Sequence, residues 1–253
     1  DQVKLSFANI GLTLHCIDES ELFLERLKGL SDPESKRKTV GRAFVEAFER
    51  FSKACGPFTH LGQGTLFPDV IESAGFGTKA KVIKSHHNVG GLPERLQLKL
   101  IEPIRYMFKD EVRTLGKSLN VPMQMLERHP FPGPGLAIRV IGEVTKEKVT
   151  LLQEADDLFI SSLKAEGFYD QIWQAGAILL PVKSVGVMGD NRTYEWTCVL
   201  RAVCATDAMT AEVGELPLSF LTRVASQIVR QVKGINRVLY DITSKPPATI
   251  EWE

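Results

Sequence analysis

The chain has 253 residues, of which 43% are hydrophobic and 25% charged, with 31 basic and 31 acidic side chains. That balance fits a soluble globular protein of one large or two ordinary domains, and it excludes a disordered, collagenous or disulfide-scaffold chain. Neither side of Pro130 carries the basic excess of a nucleic-acid binder, so small molecules and other protein chains are the expected partners. The longest nearly unbroken apolar run, Ala175 to Val182, is too short to cross a bilayer, and no membrane association is expected. The first residue is Asp1, and no secretory or transit pattern follows it, which suggests a piece of a longer polypeptide or a trimmed one. The cysteines, Cys16, Cys55, Cys198 and Cys204, form no C-x-x-C pair. This argues against zinc and for a cytoplasmic protein with its thiols buried.

In chain order, Ile10–Cys16 reads as a short strand, with a helix from Ser20. Ser31-Asp-Pro-Glu34 reads as a capping box with proline in the first turn. The helix it opens carries Val40, Phe44, Ala47, Phe48 and Phe51 at the spacing of one buried stripe. Phe58–Leu61 reads as a short buried strand leading into the turn Gly62-Gln-Gly-Thr65, then Pro68-Asp69 and another helix. Lys81–Lys84 reads as a strand, and Asp110–Leu119 as an amphipathic helix with Val112, Leu115 and Leu119 on one face. This alternation predicts an α/β layer with a parallel sheet, whose ligands would sit beyond the carboxyl ends of the strands. His129-Pro-Phe-Pro-Gly-Pro-Gly135 cannot continue a helix or central strand and marks a domain boundary. Beyond it the pattern is α+β. Leu136–Ile141 reads as a strand and Lys146–Glu166 as a helix. Ala177–Val187 and Tyr194–Ala205 read as a hairpin turning at Gly189-Asp-Asn191, Pro217–Val232 as a helix, and Val238–Ile242 as a last strand.

Three stretches could carry chemistry. In Lys84-Ser-His-His-Asn-Val-Gly-Gly91, a lysine, two imidazoles and an amide fall within five residues, and all can donate to an anion such as phosphate. Its two glycines would let the loop hinge, although a polar surface turn has the same composition. Asp69 and Glu72, at i and i+3 on a helix, share a face and could hold Mg²⁺, or could equally be an N-cap and its capping-box partner. The amides of Gly62-Gln-Gly-Thr65 could receive an anion or a base. The tail Lys245-Pro-Pro-Ala-Thr-Ile-Glu-Trp-Glu253 is stiffened by two prolines and has apolar anchors at Ile250 and Trp252. It is either a functional element or a terminus packed for stability.

Six stretches, in one order along the whole chain, resemble the glutamine-hydrolysing GMP synthetases. They are Gly62-Gln-Gly-Thr-Leu-Phe-Pro-Asp-Val-Ile-Glu-Ser73, Lys84-Ser-His-His-Asn-Val-Gly-Gly91, Phe108-Lys-Asp-Glu-Val-Arg113, Arg128-His-Pro-Phe-Pro-Gly-Pro-Gly135, Ser184-Val-Gly-Val-Met-Gly-Asp190 and the tail. The resemblance implies an incomplete, parallel-sheet ATP-pyrophosphatase domain of the adenine nucleotide alpha hydrolase-like type over residues 1–130. A smaller α+β dimerisation domain that holds xanthosine monophosphate (XMP) would follow over residues 131–253. It implies an ATP-dependent carbon–nitrogen ligase. ATP adenylates XMP, releasing pyrophosphate, and ammonia made from glutamine by an amidotransferase domain or subunit then displaces AMP to give GMP. The same resemblance assigns Asp69, Glu72 and Asn88 to ATP and its Mg²⁺, and makes Lys84, His86 and His87 catalytic groups of a lid over the phosphates. It assigns Gln174, Arg237, Lys245, Ile250 and Glu251 to XMP. Removing the tail is then expected to weaken XMP binding without unfolding the core.

Two departures stand out. The Ser-Gly-Gly-Val-Asp-Ser pyrophosphate loop and the amidotransferase domain are absent from the sequence, so the chain is expected to begin partway through the ATP domain. Leu22 stands where many relatives have an arginine before Phe-Leu. The alternative reading is a non-catalytic fragment that dimerises and holds a nucleotide.

Overall fold

The computed structural model describes Lys4, Phe7, residues 13–68, Val70, residues 98–205 and residues 209–253. These gather into two compact units, Asp1–Leu22 with Val40–Arg128, and Phe23–Thr39 with His129–Glu253. Segment Phe23–Thr39, read from sequence as part of the first domain, joins the second unit because Lys36 is buried there against Ala137, Val140 and Glu253.

Helix α1 spans Ser20–Leu27 and α2 spans Pro33–Cys55. Residues 13–19 are irregular, so the described end of the expected Ile10–Cys16 strand is not a strand. The cap of α2 is Asp32 rather than Ser31. Its carboxylate accepts from the Ser35 N–H at 2.8 Å, the Ser35 hydroxyl and then this N–H hold it below the usual carboxylate pKa, and Pro33 takes the first helical position. The buried stripe of α2 also differs from the expected one. Val40 and Ala43 are buried and continue the line of Lys36, whereas Phe44 and Phe48 are 44% and 46% exposed. A lysine on the inward face hid that face from a search for hydrophobic period.

In the first unit, strand β1 (His60–Gly62) pairs in parallel with β2 (Lys99–Ile101), with Leu61 opposite Leu100. β1 is only partly buried, and Phe58 before it is 47% exposed. The Gln63 N–H donates to the Ile101 carbonyl at 2.9 Å, so this amide of the glycine-rich turn is already used by the sheet. Beyond β2, the Thr65 hydroxyl, and after it Arg105, hold the Glu102 carboxyl below its usual range against the effect of burial. Helix α3 (Lys109–Ser118) follows, with Leu115 and Leu119 exposed and Gly116 buried against Leu126 of the short helix α4 (Met123–Leu126). The expected strand at Lys81–Lys84 lies outside the described residues.

In the second unit, Gly135–Ile138 forms a 3₁₀ turn where a strand was expected. Only Val140 bridges to a strand, in parallel with Leu179. Helix α5 (Lys146–Ala165) is capped by Thr145, and its buried Leu151, Ala155, Phe159 and Leu163 recur every fourth residue. Strands β3 (Gln174–Met188) and β4 (Asn191–Cys204) form the expected antiparallel hairpin, closed by Gly189 at φ +60° and Asp190. Strand β5 (Glu212–Val213) pairs with the end of β4. Helix α6 (Leu218–Gln231) turns Phe220, Val224 and Ile228 inward, and β6 (Ile235–Tyr240) lies parallel to β4. Helix α5 packs on β3, α6 on β6, and the two helices on each other. Residues 197–203 of β4 are buried without alternation, so both faces of the sheet are covered there, by the helices and by the tail. The chain is therefore α/β, with a small parallel sheet and a larger, mainly antiparallel one. Of the cysteines, Cys198 is buried, which pushes its thiol up to about 12, while Cys16 and Cys55 are exposed, contrary to expectation. No described helix is long and apolar enough to cross a membrane.

The segment after Arg128 is pinned by His129. Its ring stacks on Tyr169 at 3.7 Å between centroids and 7° between planes. Its Nε2 donates to the Tyr169 carbonyl at 2.9 Å. Burial pushes this imidazole below its usual pKa, aided by Lys164 and opposed by the Tyr169 carbonyl. The folded pKa is depressed, so the unfolded chain takes up the proton first as pH falls. Stability is expected to decline as pH drops through 6.5, the ordinary histidine value, and to level off below the folded pKa. Urea unfolding across this range should lose that component in His129→Phe; an unchanged pH slope in the variant would count against the assignment.

Candidate functional site

On β3 and β4, Gln174 stands opposite Val203 and Gly176 opposite Arg201. Side chains alternate along a strand, so these four share one face of the sheet. The tail crosses that face. Buried Arg201 donates through Nε to the Ile250 carbonyl and through Nη2 to the Thr249 carbonyl, both at 2.8 Å, and pairs through Nη1 with Asp241 at 2.6 Å. The Trp252 indole N–H donates to the same Asp241 oxygen at 2.9 Å. Burial alone would raise Asp241, but the Thr243 N–H and hydroxyl, Trp252 and Arg201 hold its carboxyl below the usual value.

Glu251 is held by a second buried arginine. Arg139 donates to Glu251 from Nε at 3.0 Å and from Nη2 at 2.8 Å, a two-pronged contact that fixes the plane of the carboxylate. Gln174 Nε2 donates to the same carboxylate. Asp156 of α5 lies 3.7 Å from Arg139 and accepts from the Ala177 N–H at 2.7 Å. Burial raises the Asp156 carboxyl despite these partners. Burial also opposes the charge on Arg139, but Glu251 and then Asp156 keep the guanidinium above its usual pKa.

The last residue closes the set. Lys36 has 0% side-chain exposure, and its Nζ donates to the carbonyls of Ala137 and Val140 at 3.2 and 2.7 Å and to the Glu253 side chain at 2.5 Å. The other Glu253 side-chain oxygen accepts from the Gly142 N–H at 3.1 Å, and Arg37 donates to the Glu253 main chain. Arg139, Gln174, Gly176, Arg201, Ile250 and Glu251 line a shallow, open cleft whose free interior is about 10 Å³, room for roughly one water. Its chemistry is that of a fixed carboxylate beside an amide and two charge-balanced guanidinium groups.

The structure thus brings three of the expected XMP residues together, namely Gln174, Ile250 and Glu251. The other two are placed differently. Arg237 on β6 stands opposite Thr197, six positions along β4 from the partner of Gln174, or about 20 Å. Its Nε donates to the Ser184 hydroxyl at 3.0 Å. Lys245 pairs through its main chain with Ala211 in both directions, at 2.7 and 3.0 Å, and both prolyl bonds after it are cis. Asp69, Glu72, Lys84, His86, His87 and Asn88 lie outside the described residues. The sequence reading missed Lys36, Arg139, Arg201 and Asp241. A signal existed for Arg201, the one charged residue in the run Thr197 to Cys204. Lys36 sits in Lys36-Arg-Lys38 and looked like a solvated charge cluster.

Residues 161–252 match the family model described as GMP synthase C terminal domain. The full chain is 60% identical to the glutamine-hydrolysing GMP synthase of Aquifex aeolicus, covering 100% of this chain and 49% of that protein. The corresponding enzymes of Bdellovibrio bacteriovorus and Cytophaga hutchinsonii are 57% and 56% identical over the whole chain, each covered to 50%. This chain is similar to the carboxy-terminal halves of GMP synthases. It spans about half the length of the curated relatives it matches. The GMP synthase match takes in β3, β4, α6, β6 and the tail through Trp252, and so includes Gln174, Arg201 and Glu251; Lys36, Arg139 and Glu253 lie outside its bounds.

The tail is part of the core. Removing it would take the carboxylate partner from Lys36, the fork partner from Arg139 and two carbonyl acceptors from Arg201, leaving Asp156 and Asp241 as their remaining anions, so a cost to the core replaces the expectation of none. Glu253→Ala should destabilise the protein by about 3–5 kcal/mol, the usual cost of breaking a buried pair from one side. Lys36→Met combined with Glu253→Ala should recover much of that loss in urea unfolding; losses that simply add would show that the pair is not coupled.

Proposed function

We propose that the chain is part of a GMP synthase, an ATP-dependent ligase that aminates XMP to GMP with ammonia derived from glutamine. The observation that carries this reading is the meeting of Gln174, Ile250 and Glu251 in one cleft around a carboxylate of fixed orientation. Gln174 lies 76 positions before Ile250 in the sequence, yet the family resemblance assigns all three residues to one nucleotide. Glu251 would accept from an N–H of the purine or a hydroxyl of the ribose, and Gln174 would contact the purine or ribose beside it. Lys245 and Arg237 are the candidates for the XMP phosphate. In this reading Arg237 leaves Ser184 or acts from a second copy of the chain.

The chemistry divides into two displacements. The xanthine 2-oxygen attacks the α-phosphorus of ATP, and pyrophosphate leaves. Ammonia then attacks C2, and AMP leaves with the oxygen. Lys84, His86, His87 and Asn88 supply donors for the charge that builds on the departing pyrophosphate. Asp69 and Glu72, hard oxygen donors of the kind Mg²⁺ prefers, would hold the ion that accompanies ATP and offsets its phosphate charge. In this reading residues 1–130 form an ATP-pyrophosphatase domain of the adenine nucleotide alpha hydrolase-like type, with Phe23–Thr39 packed into the second unit, and residues 131–253 form a dimerisation domain. A homodimer is supported by the exposed Val182, Val185, Val187 and Tyr194 in the outer half of the hairpin.

In the intact protein given ATP, Mg²⁺, XMP and ammonia, GMP, AMP and pyrophosphate should form in equal amounts. XMP binding without pyrophosphate release would favour the non-catalytic alternative. Lys84→Ala should slow pyrophosphate release by roughly 10²–10³-fold, as loss of a transition-state donor does; an unaltered rate would remove Lys84 from the lid role. Val185→Lys should shift a dimer toward monomer in sedimentation, and an unchanged dimer would place the interface elsewhere.

A further inference from the structure

Arg139 is positioned from every side. Its main chain ends the Gly135–Ile138 turn, donating to the Leu136 carbonyl at 3.0 Å and accepting from the Leu179 N–H at 2.8 Å. Its side chain is 3% exposed, and its guanidinium lies 5.1 Å from the centre of the Phe131 ring. Two of its nitrogens face Glu251, and the third, Nη1, faces Asp156 at 3.7 Å. That third nitrogen also lies over the bare Cα of Gly176. A methyl group at position 176 would stand 2.3 Å from Nη1 and 2.6 Å from Cζ of Arg139, closer than any real contact. The end of a free arginine could swing aside, but this one can move only by leaving Glu251 or Asp156.

Glu251 has about four acceptor positions on its two oxygens, and Arg139 and Gln174 occupy three of them. What remains is one defined direction for a donor from a ligand. We propose that Arg139 is the positioning residue that turns Glu251 to a purine monophosphate, and that position 176 is glycine to leave room for its guanidinium. This rests on the reading of the cleft as the XMP site. Arg139 acts through Glu251 and meets no ligand itself. Lysine cannot replace it, because an ammonium supplies a point charge and not the planar fork that sets the carboxylate plane.

The test is calorimetric titration of XMP into the intact protein and into Arg139→Lys, Gly176→Ala, Glu251→Gln and the double variant Arg139→Lys/Glu251→Gln, with circular dichroism to confirm folding. Arg139→Lys and Gly176→Ala should each weaken XMP binding by roughly 10–100-fold, the range for misplacing a charge-assisted hydrogen bond. The double variant should be no weaker than Glu251→Gln alone, since a residue acting through Glu251 has nothing left to position. Gly176→Ala leaves every charge in place, so it carries the test if Arg139→Lys fails to fold. A loss for Glu251→Gln without one for Arg139→Lys or Gly176→Ala would overturn the proposal while leaving the XMP site standing. Additive losses in the double variant would also overturn it, because they would make Arg139 an independent support of the fold. No XMP binding by the unaltered protein would overturn the reading of the cleft and this proposal with it.

Discussion

Three cations lie inside the second unit, Lys36, Arg139 and Arg201, and none can remain charged there without an acceptor of comparable strength. The acceptors come mainly from the last residues of the chain. Glu253 meets Lys36, Glu251 meets Arg139, and the carbonyls of Thr249 and Ile250 meet Arg201, with Asp241 completing the charge balance. The tail is thereby held by charged side chains from four separate stretches of sequence, two of them through ion pairs. A helix face, a 3₁₀ turn, a central strand and a strand end all depend on its arrival.

The same contacts set the geometry of the cleft. An unpaired glutamate would ordinarily sample many rotamers, and a ligand would bear the entropy of choosing one. Here the ordering is already done by the fold, so a donor meeting Glu251 encounters one orientation. In the proposed XMP site, stability and recognition therefore draw on the same hydrogen bonds. Variants of the tail are poor guides to binding unless folding is measured beside them.

Much of this architecture was legible in the sequence. Helix α5, the β3–β4 hairpin and α6 declare themselves through four-residue apolar periods, a glycine-containing two-residue turn and a proline at the helix entrance. The motifs of the tail pointed to Glu251 and Ile250, and Gln174 followed from the same resemblance. The misses have a common physical origin. Hydrophobic periodicity finds faces that are buried because they are apolar, and it is blind to Lys36 and Arg139, which are buried because distant carboxylates come to them. It also placed Leu136–Ile141 in a strand, since a short apolar run looks alike in a strand and in a buried 3₁₀ turn. The stripe of phenylalanines in α2 misled in the opposite direction, since bulky rings at helical spacing do not by themselves fix which side of the helix is covered.

Co-crystallisation with XMP examines the central arrangement most directly. The nucleotide should lie in the cleft lined by Gln174, Ile250 and Glu251, with the Glu251 carboxylate still forked on Arg139 and one further bond donated to it by the purine or ribose. A nucleotide bound elsewhere on the protein, or a Glu251 side chain that swings off Arg139 to reach its ligand, would contradict a site built in advance by the tail.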